Sequence, residues 1–177
     1  MSIRFAVDQV RYEAKDYRGE PVSACRLVTS EARSLVNIES VDIYAANRDT
    51  TAHSIVMRRD PYGYHMMNIV DYLVGNTDRH WGNWGFWADN ATNRLTKLYP
   101  LMDFNRAFQQ YDTLDGVNCL TAGKRHLNQR EAAGEAVQKV GLNQIGPVDG
   151  VVFAEHENWK EKFQRRLSVL KNSEIDN

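Results

Sequence analysis

A chain of 177 residues with 42% hydrophobic residues, four Trp, eight Tyr and six Phe has enough apolar material for a real core, as one compact domain or one lobe of a larger architecture. Its 22 Lys plus Arg balance 23 Asp plus Glu, which gives no general attraction to nucleic acid or to an anionic membrane. Two isolated cysteines, Cys25 and Cys119, argue against a disulfide framework or a Cys-based zinc site; without a leader-like run or eighteen consecutive apolar residues, the cytoplasm is the expected location, with no membrane partner.

Residues 5–28 place Phe5, Val7, Val10 and Tyr12, then Val22, Cys25 and Leu27, around the turn-like Asp16-Tyr17-Arg18-Gly19-Glu20-Pro21. This predicts two short extended segments joined by a hairpin or loop, and such a ribbon is expected to lie against the helical body. Ser30 caps a predicted helix from Glu31, with Leu35, Ile38, Val41 and Ala45 as its packing face, until Arg48-Asp49-Thr50-Thr51 breaks the pattern. Met66, Met67, Val70, Leu73 and Val74 form the clearest helical stripe, and Gly75-Asn76 is its stop.

Trp84-Gly85-Phe86-Trp87, a polar turn at residues 89–93, and Leu95-Thr96-Lys97-Leu98-Tyr99 predict a small hairpin that brings Asp103 back beside Asn83. Asn128 and Glu131 have capping-box spacing at the head of a helix with Ala133, Val137 and Val140 available for packing. Gly141 and Gly146-Pro147 interrupt it; His156, Trp159, Phe163, Leu167 and Leu170 mark a final helix, and the polar end, residues 171–177, is expected to fray.

The chemistry is concentrated in Asp78-Arg79-His80-Trp81-Gly82-Asn83 and in Asp103-Phe104. Phosphoryl transfer needs a carboxylate near the acceptor proton and Mg²⁺ to offset charge on the phosphates. Asp78 is the candidate acceptor-side carboxylate, and Asn83, five positions on, has the Asp-to-Asn offset of the protein-kinase catalytic loop. Its amide oxygen and the Asp103 carboxylate are candidate Mg²⁺ ligands. Two roles stay open for Arg79, a contact to phosphate or an ion pair with Asp71. His80 is read as an ordering group for the loop beside the candidate carboxylate Asp78, with the base role and half of a metal site as its alternatives. Taken singly, Asp78, Asn83 and Asp103 are also residues that cap turns.

The stretch Asn76-Thr77-Asp78-Arg79-His80-Trp81-Gly82-Asn83-Trp84-Gly85-Phe86, followed by Pro100-Leu101-Met102-Asp103-Phe104-Asn105, resembles the HipA-like and CtkA-like bacterial kinases and, more distantly, the phosphatidylinositol kinases, whose catalytic loop reads Asp-Arg-His-x-x-Asn. The flanks Val10-Arg11-Tyr12, residues 23–29 and residues 66–73 extend the likeness from about Val10 to Phe108. The resemblance implies a mainly α fold with a small β component, the protein-kinase-like C-terminal lobe. It also implies ATP and Mg²⁺ as cofactors, Asp78 and His80 at the catalytic centre, and Asn83, Asp103 and Arg79 toward the cofactor. Residues 1–28 are then an edge or remnant of an upstream lobe, 29–171 the catalytic lobe and 172–177 a flexible tail.

The residue after Asp-Phe, usually Gly in that family, is Asn105, the non-Gly residue best suited to a left-handed turn. The phosphate-contacting loop and Lys of an upstream lobe are not evident; Lys15 is the sole Lys before Lys97. The expected partners are a nucleotide together with a protein substrate or an upstream-lobe chain. The expected activity is transfer of phosphate from ATP to a serine or threonine hydroxyl, the alternative being a non-catalytic, toxin–antitoxin-related module. His53, His65, His126 and His156 are read as ordinary surface or packing residues, and the tryptophans around the loop as packing beneath it.

Overall fold

The computed structural model describes residues 7–109, 113–142, 153–154 and 156–175. Phe5 and the Gly146-Pro147 break lie outside them.

The expected hairpin is present as β1 (Tyr12–Tyr17) and β2 (Glu20–Cys25), paired from Tyr12↔Cys25 to Tyr17↔Glu20. Its two-residue turn takes positive φ at Arg18 (56°) and Gly19 (85°), the primed geometry that suits strand twist, and Asp16 Oδ1 accepts from the Gly19 N–H at 2.9 Å. The ribbon does not lie against the helical body as expected: every residue of both strands is exposed except the half-buried Ala24.

A second correction concerns residues 31–37. No helix starts at Glu31; Arg33–Asn37 is strand β3, which pairs antiparallel with β4 through Val36↔Phe86 and Asn37↔Gly85. Ser30 forms a bridge with Arg33 instead of a helix cap. Helix α1 (Ile38–Ala46) begins later, capped by Asn37, whose side chain accepts from Ser40 N at 3.0 Å. Ile38, Val41 and Ala45 are its buried face as expected, while Leu35 belongs to the sheet. The break at residues 48–51 leads into a helix that periodicity did not show, α2 (Ala52–Arg59), capped by Thr51.

Helix α3 (Pro61–Val74) is the axis of the fold. Pro61 stands at its first turn, Asp60 caps it, and Gly75 (φ 62°) ends it in left-handed geometry. Met66, Met67, Ile69, Tyr72 and Leu73 have no exposed surface, each burial contributing about 1.5–3 kcal/mol. Asp60 also accepts from Leu98 N at 2.9 Å, tying the helix start to the sheet.

The sheet has the order β3-β4-β5, with β4 (Gly85–Asp89) and β5 (Arg94–Leu98) forming the expected hairpin. At Gly85 a Cβ would lie 2.1 Å from Val36 O, so only glycine allows β3 to approach. Beyond β5 the chain pairs with residues 8–10: Leu101 N donates to Asp8 O at 2.8 Å and Val10 N to Leu101 O at 2.9 Å.

Helix α4 (Gln129–Val140) carries the predicted capping box, with both Asn128 and Glu131 bonds made, and packs along α3. Helix α5 (Glu157–Ile175) closes the bundle against both, burying Phe163 and Leu170. Helix α5 extends through Ile175, into the stretch expected to fray, and there Glu174 Oε1 accepts from Leu142 N at 3.1 Å. Among the described residues no helix is long and apolar enough to cross a membrane.

Candidate active site

The loop between α3 and β4 starts where Gly75 reverses the chain, and Asn76 N reaches back to Asp71 O at 2.8 Å. A side chain at Gly75 would suffer twice, from its φ of 62° and from Arg166 Nη1 at 2.7 Å. Below this turn lies an ion pair with almost no solvent contact: Arg79 is 3% exposed and Asp71 4%. Arg79 Nε donates to Asp71 Oδ2 at 2.8 Å and Nη2 to Oδ1 at 2.9 Å, the bidentate fork. Asn76 Nδ2 adds a third donor to that carboxylate at 3.0 Å. Of the two roles open to Arg79, the ion pair with Asp71 is made in the structure, with the guanidinium buried.

Arg79 also brings the separated parts of the motif together. Its Nη1 donates to Met102 O at 2.6 Å and to Asn83 O at 3.3 Å, while its Cζ sits 4.9 Å over the Phe104 ring. One side chain therefore joins α3, the end of the loop and the residues on both sides of Asp103. Burial opposes the Arg79 charge, but the Asp71 carboxylate, with weaker help from Tyr99 and Asp103, more than offsets it and raises the pKa. Tyr99, buried beside this cation, is pushed up to about 12, mainly by burial, and stays a neutral phenol.

Asn83 is held from two sides. Its N–H donates to His80 O at 3.1 Å and its Nδ2 donates to Asp78 O at 2.6 Å. Its Oδ1 is buried and has no hydrogen-bond partner among the described residues. The carboxylates of Asp78 and Asp103, both half-buried, accept no hydrogen bond from any described residue. Asp103 has φ 58°, a left-handed conformation that costs a non-glycine residue about 1–3 kcal/mol and is characteristic of sites that hold strain for function. The left-handed turn expected at Asn105 is thus taken by Asp103 itself, and by Phe108 (φ 56°), whose N–H donates to Val74 O at 2.8 Å.

His80 is exposed, and its Nδ1 accepts from Gly82 N at 3.0 Å within the loop. Trp84 and Trp87 are buried; Trp81 is half-buried and its Nε1 donates to Leu120 O at 2.9 Å. Lys15 lies on the exposed hairpin, paired with Glu13 at 3.3 Å. Sequence reasoning missed Gln129, whose Nε2 donates to Asn76 O at 2.7 Å and whose Oε1 accepts from Val117 N at 3.2 Å. It also treated Asn76 as a helix stop only, although the residue is fully buried and braces Asp71.

Among the described residues no three His, Cys, Asp or Glu side chains cluster to hold a metal. The candidate donors here are one amide and one carboxylate, Asn83 and Asp103, and the unpartnered Oδ1 of Asn83 fits a hard oxygen-seeking cation.

No family model matches the chain, and no curated protein matches it in sequence. Among solved structures it is similar to the crystal structure of the Helicobacter pylori proinflammatory kinase CtkA, with 15% identity, a TM-score of 0.69, and coverage of 96% of this chain and 78% of that one. The chain therefore has the mainly helical, HipA-like and CtkA-like kinase fold that residues 76–86 and 100–105 resemble.

Proposed function

We propose that the chain is the catalytic lobe of a HipA-like serine/threonine kinase, acting in the cytoplasm, that moves the terminal phosphate of ATP to a protein hydroxyl with Mg²⁺. The observation that carries this reading is the buried, unpartnered Oδ1 of Asn83. A buried acceptor without a donor costs about 1–3 kcal/mol, a cost that a bound cation would remove. Asn83 and Asp103 hold the metal through an amide oxygen and a carboxylate. Mg²⁺, when bound, offsets charge on the nucleotide phosphates. Asp78, its carbonyl fixed by Asn83 and its carboxylate unengaged, takes the proton of the acceptor hydroxyl. His80 keeps the loop in shape through Gly82, and Arg79 sets Asn83 and Asp103 in register from below.

A second reading, the non-catalytic module related to toxin–antitoxin systems, is favoured by Lys15. The one Lys before Lys97 is exposed and paired with Glu13, away from the loop, so phosphate-gripping charge has to come from elsewhere, such as an upstream-lobe partner. The test is transfer of labelled terminal phosphate from ATP to protein hydroxyls, by the chain alone and with the product of any adjoining upstream frame. Mg²⁺-dependent transfer that falls at least about a hundredfold in Asp78→Ala and Asp103→Ala supports the kinase. No transfer under either condition leaves the module.

A further inference from the structure

On another part of the lobe, α2, α3, α4 and the segment entering α4 line an open cavity of about 350 Å³. Its charged and titratable lining is His53 from α2, Tyr64 and His65 from α3, Arg125 before α4, and Glu135 and Lys139 from α4. Its lining also includes Asn68, whose Oδ1 accepts from Thr121 at 2.5 Å, and none of Asp71, Asn76, Arg79 or Gln129.

The two imidazoles flank one phenol ring. His53 meets Tyr64 edge-on at 5.3 Å, and Tyr64 meets His65 edge-on at 5.4 Å, so the three rings form a fixed frame. His53 Nδ1 is buried without a partner, and a proton there would be a buried donor with no acceptor. That leaves Nε2 as the imidazole nitrogen open to a ligand, and in the tautomer protonated there it is a donor.

The charges do not balance. Arg125 and Glu135 pair at 2.5 Å, about half exposed, while Lys139 has no ion-pair partner among the described residues. Both imidazoles have lowered pKa values, mainly through burial, helped by Arg125 at His53 and by Lys139 at His65, with Glu135 opposing at each. The cavity thus holds one uncompensated cation and two neutral imidazoles, with Met57 and Leu127 supplying apolar wall. An anion on a small carbon body suits that lining, and a phosphate monoester brings up to two charges and enough acceptor oxygens for the ammonium and both imidazoles.

We propose that this cavity binds a small organic phosphate monoester, its phosphate held by Lys139, His53 and His65 and its carbon body against Met57 and Leu127. This site is independent of the catalytic reading, since it uses none of Asp78, Asn83 or Asp103.

The test is calorimetric titration of the full chain, without ATP or Mg²⁺, using phenyl phosphate, benzoate, benzyl alcohol and inorganic phosphate as probes. Phenyl phosphate is expected to bind with Kd below about 1 mM, and each other probe at least about tenfold more weakly. Lys139→Glu, a change at an exposed position, is expected to weaken phenyl phosphate at least about tenfold with unchanged circular dichroism. In parallel, phenyl phosphate is expected to shift the imidazole NMR signals of His53 and His65 while leaving His80 unmoved. The proposal is overturned by no binding at 10 mM, by equal binding of benzyl alcohol, by unaltered affinity in Lys139→Glu, or by shifts confined to His80.

Discussion

Replacing Arg79 by methionine removes its charge and keeps most of its volume, and the consequence falls on Asp71. That carboxylate is 4% exposed, receives Arg79 at 2.8 and 2.9 Å, and would be left with Asn76 alone at 3.0 Å. Breaking a buried pair from one side costs about 3–5 kcal/mol, because the remaining charge stays desolvated. Two hydrogen bonds to a charged group, at about 1.5–3 kcal/mol each, give the same range. The carbonyls of Met102 and Asn83 lose their donor as well. Against a total stability of about 5–15 kcal/mol this is severe. Asp71→Leu combined with Arg79→Met removes both charges, so the double variant is expected to recover at least about 2 kcal/mol of the summed single losses. The assay is urea unfolding followed by tryptophan fluorescence and circular dichroism. A loss below about 1 kcal/mol for Arg79→Met, the range of an exposed pair, or simple additivity in the double variant would refute the reasoning.

Gly75→Ala meets both a φ of 62° and Arg166 Nη1 at 2.7 Å, so it is expected to lose at least about 1–2 kcal/mol in the same unfolding assay. His53 and His65 have folded-state pKa values below 6.5. The unfolded chain binds more protons, and their contribution to stability is complete above pH 6.5 and lost as pH falls through the folded values. A Tm measured from pH 7.5 down to 5 is expected to fall, and to fall less in His53→Gln/His65→Gln; an equal slope contradicts this. Burial raises the Cys119 thiol pKa, whereas Cys25 is exposed, so iodoacetamide is expected to label Cys25 first, read by peptide mass spectrometry.

The parts of this fold that were legible in the sequence are those fixed by neighbours along the chain. Asn128 and Glu131 announce α4 because a capping box closes within four residues, and Gly75 marks the end of α3. Residues 31–37 were misread because Leu35 lies three before Ile38 and fits a helical stripe as well as a strand. What decided it was distant: Gly85 has no Cβ, and so β3 docks on β4.

The candidate site shows the same division. Asp78, Asn83 and Asp103 stand out in order, but Gln129, fifty-three residues from Asn76, gives no local sign of bracing it. His53 and His65 read as ordinary surface or packing residues, since the cavity they share is lined by Arg125 and by α4, far along the chain.

The most direct measurement is binding of Mn²⁺–ATP to the chain, followed by paramagnetic broadening of assigned NMR signals. Broadening centred on Asp78, Asn83 and Asp103, absent without metal and abolished in Asn83→Leu and Asp103→Ala that remain folded, is the expected result. Nucleotide binding that persists with the metal chelated, broadening that avoids these residues, or unaltered binding in both variants would contradict a metal–nucleotide site on this loop.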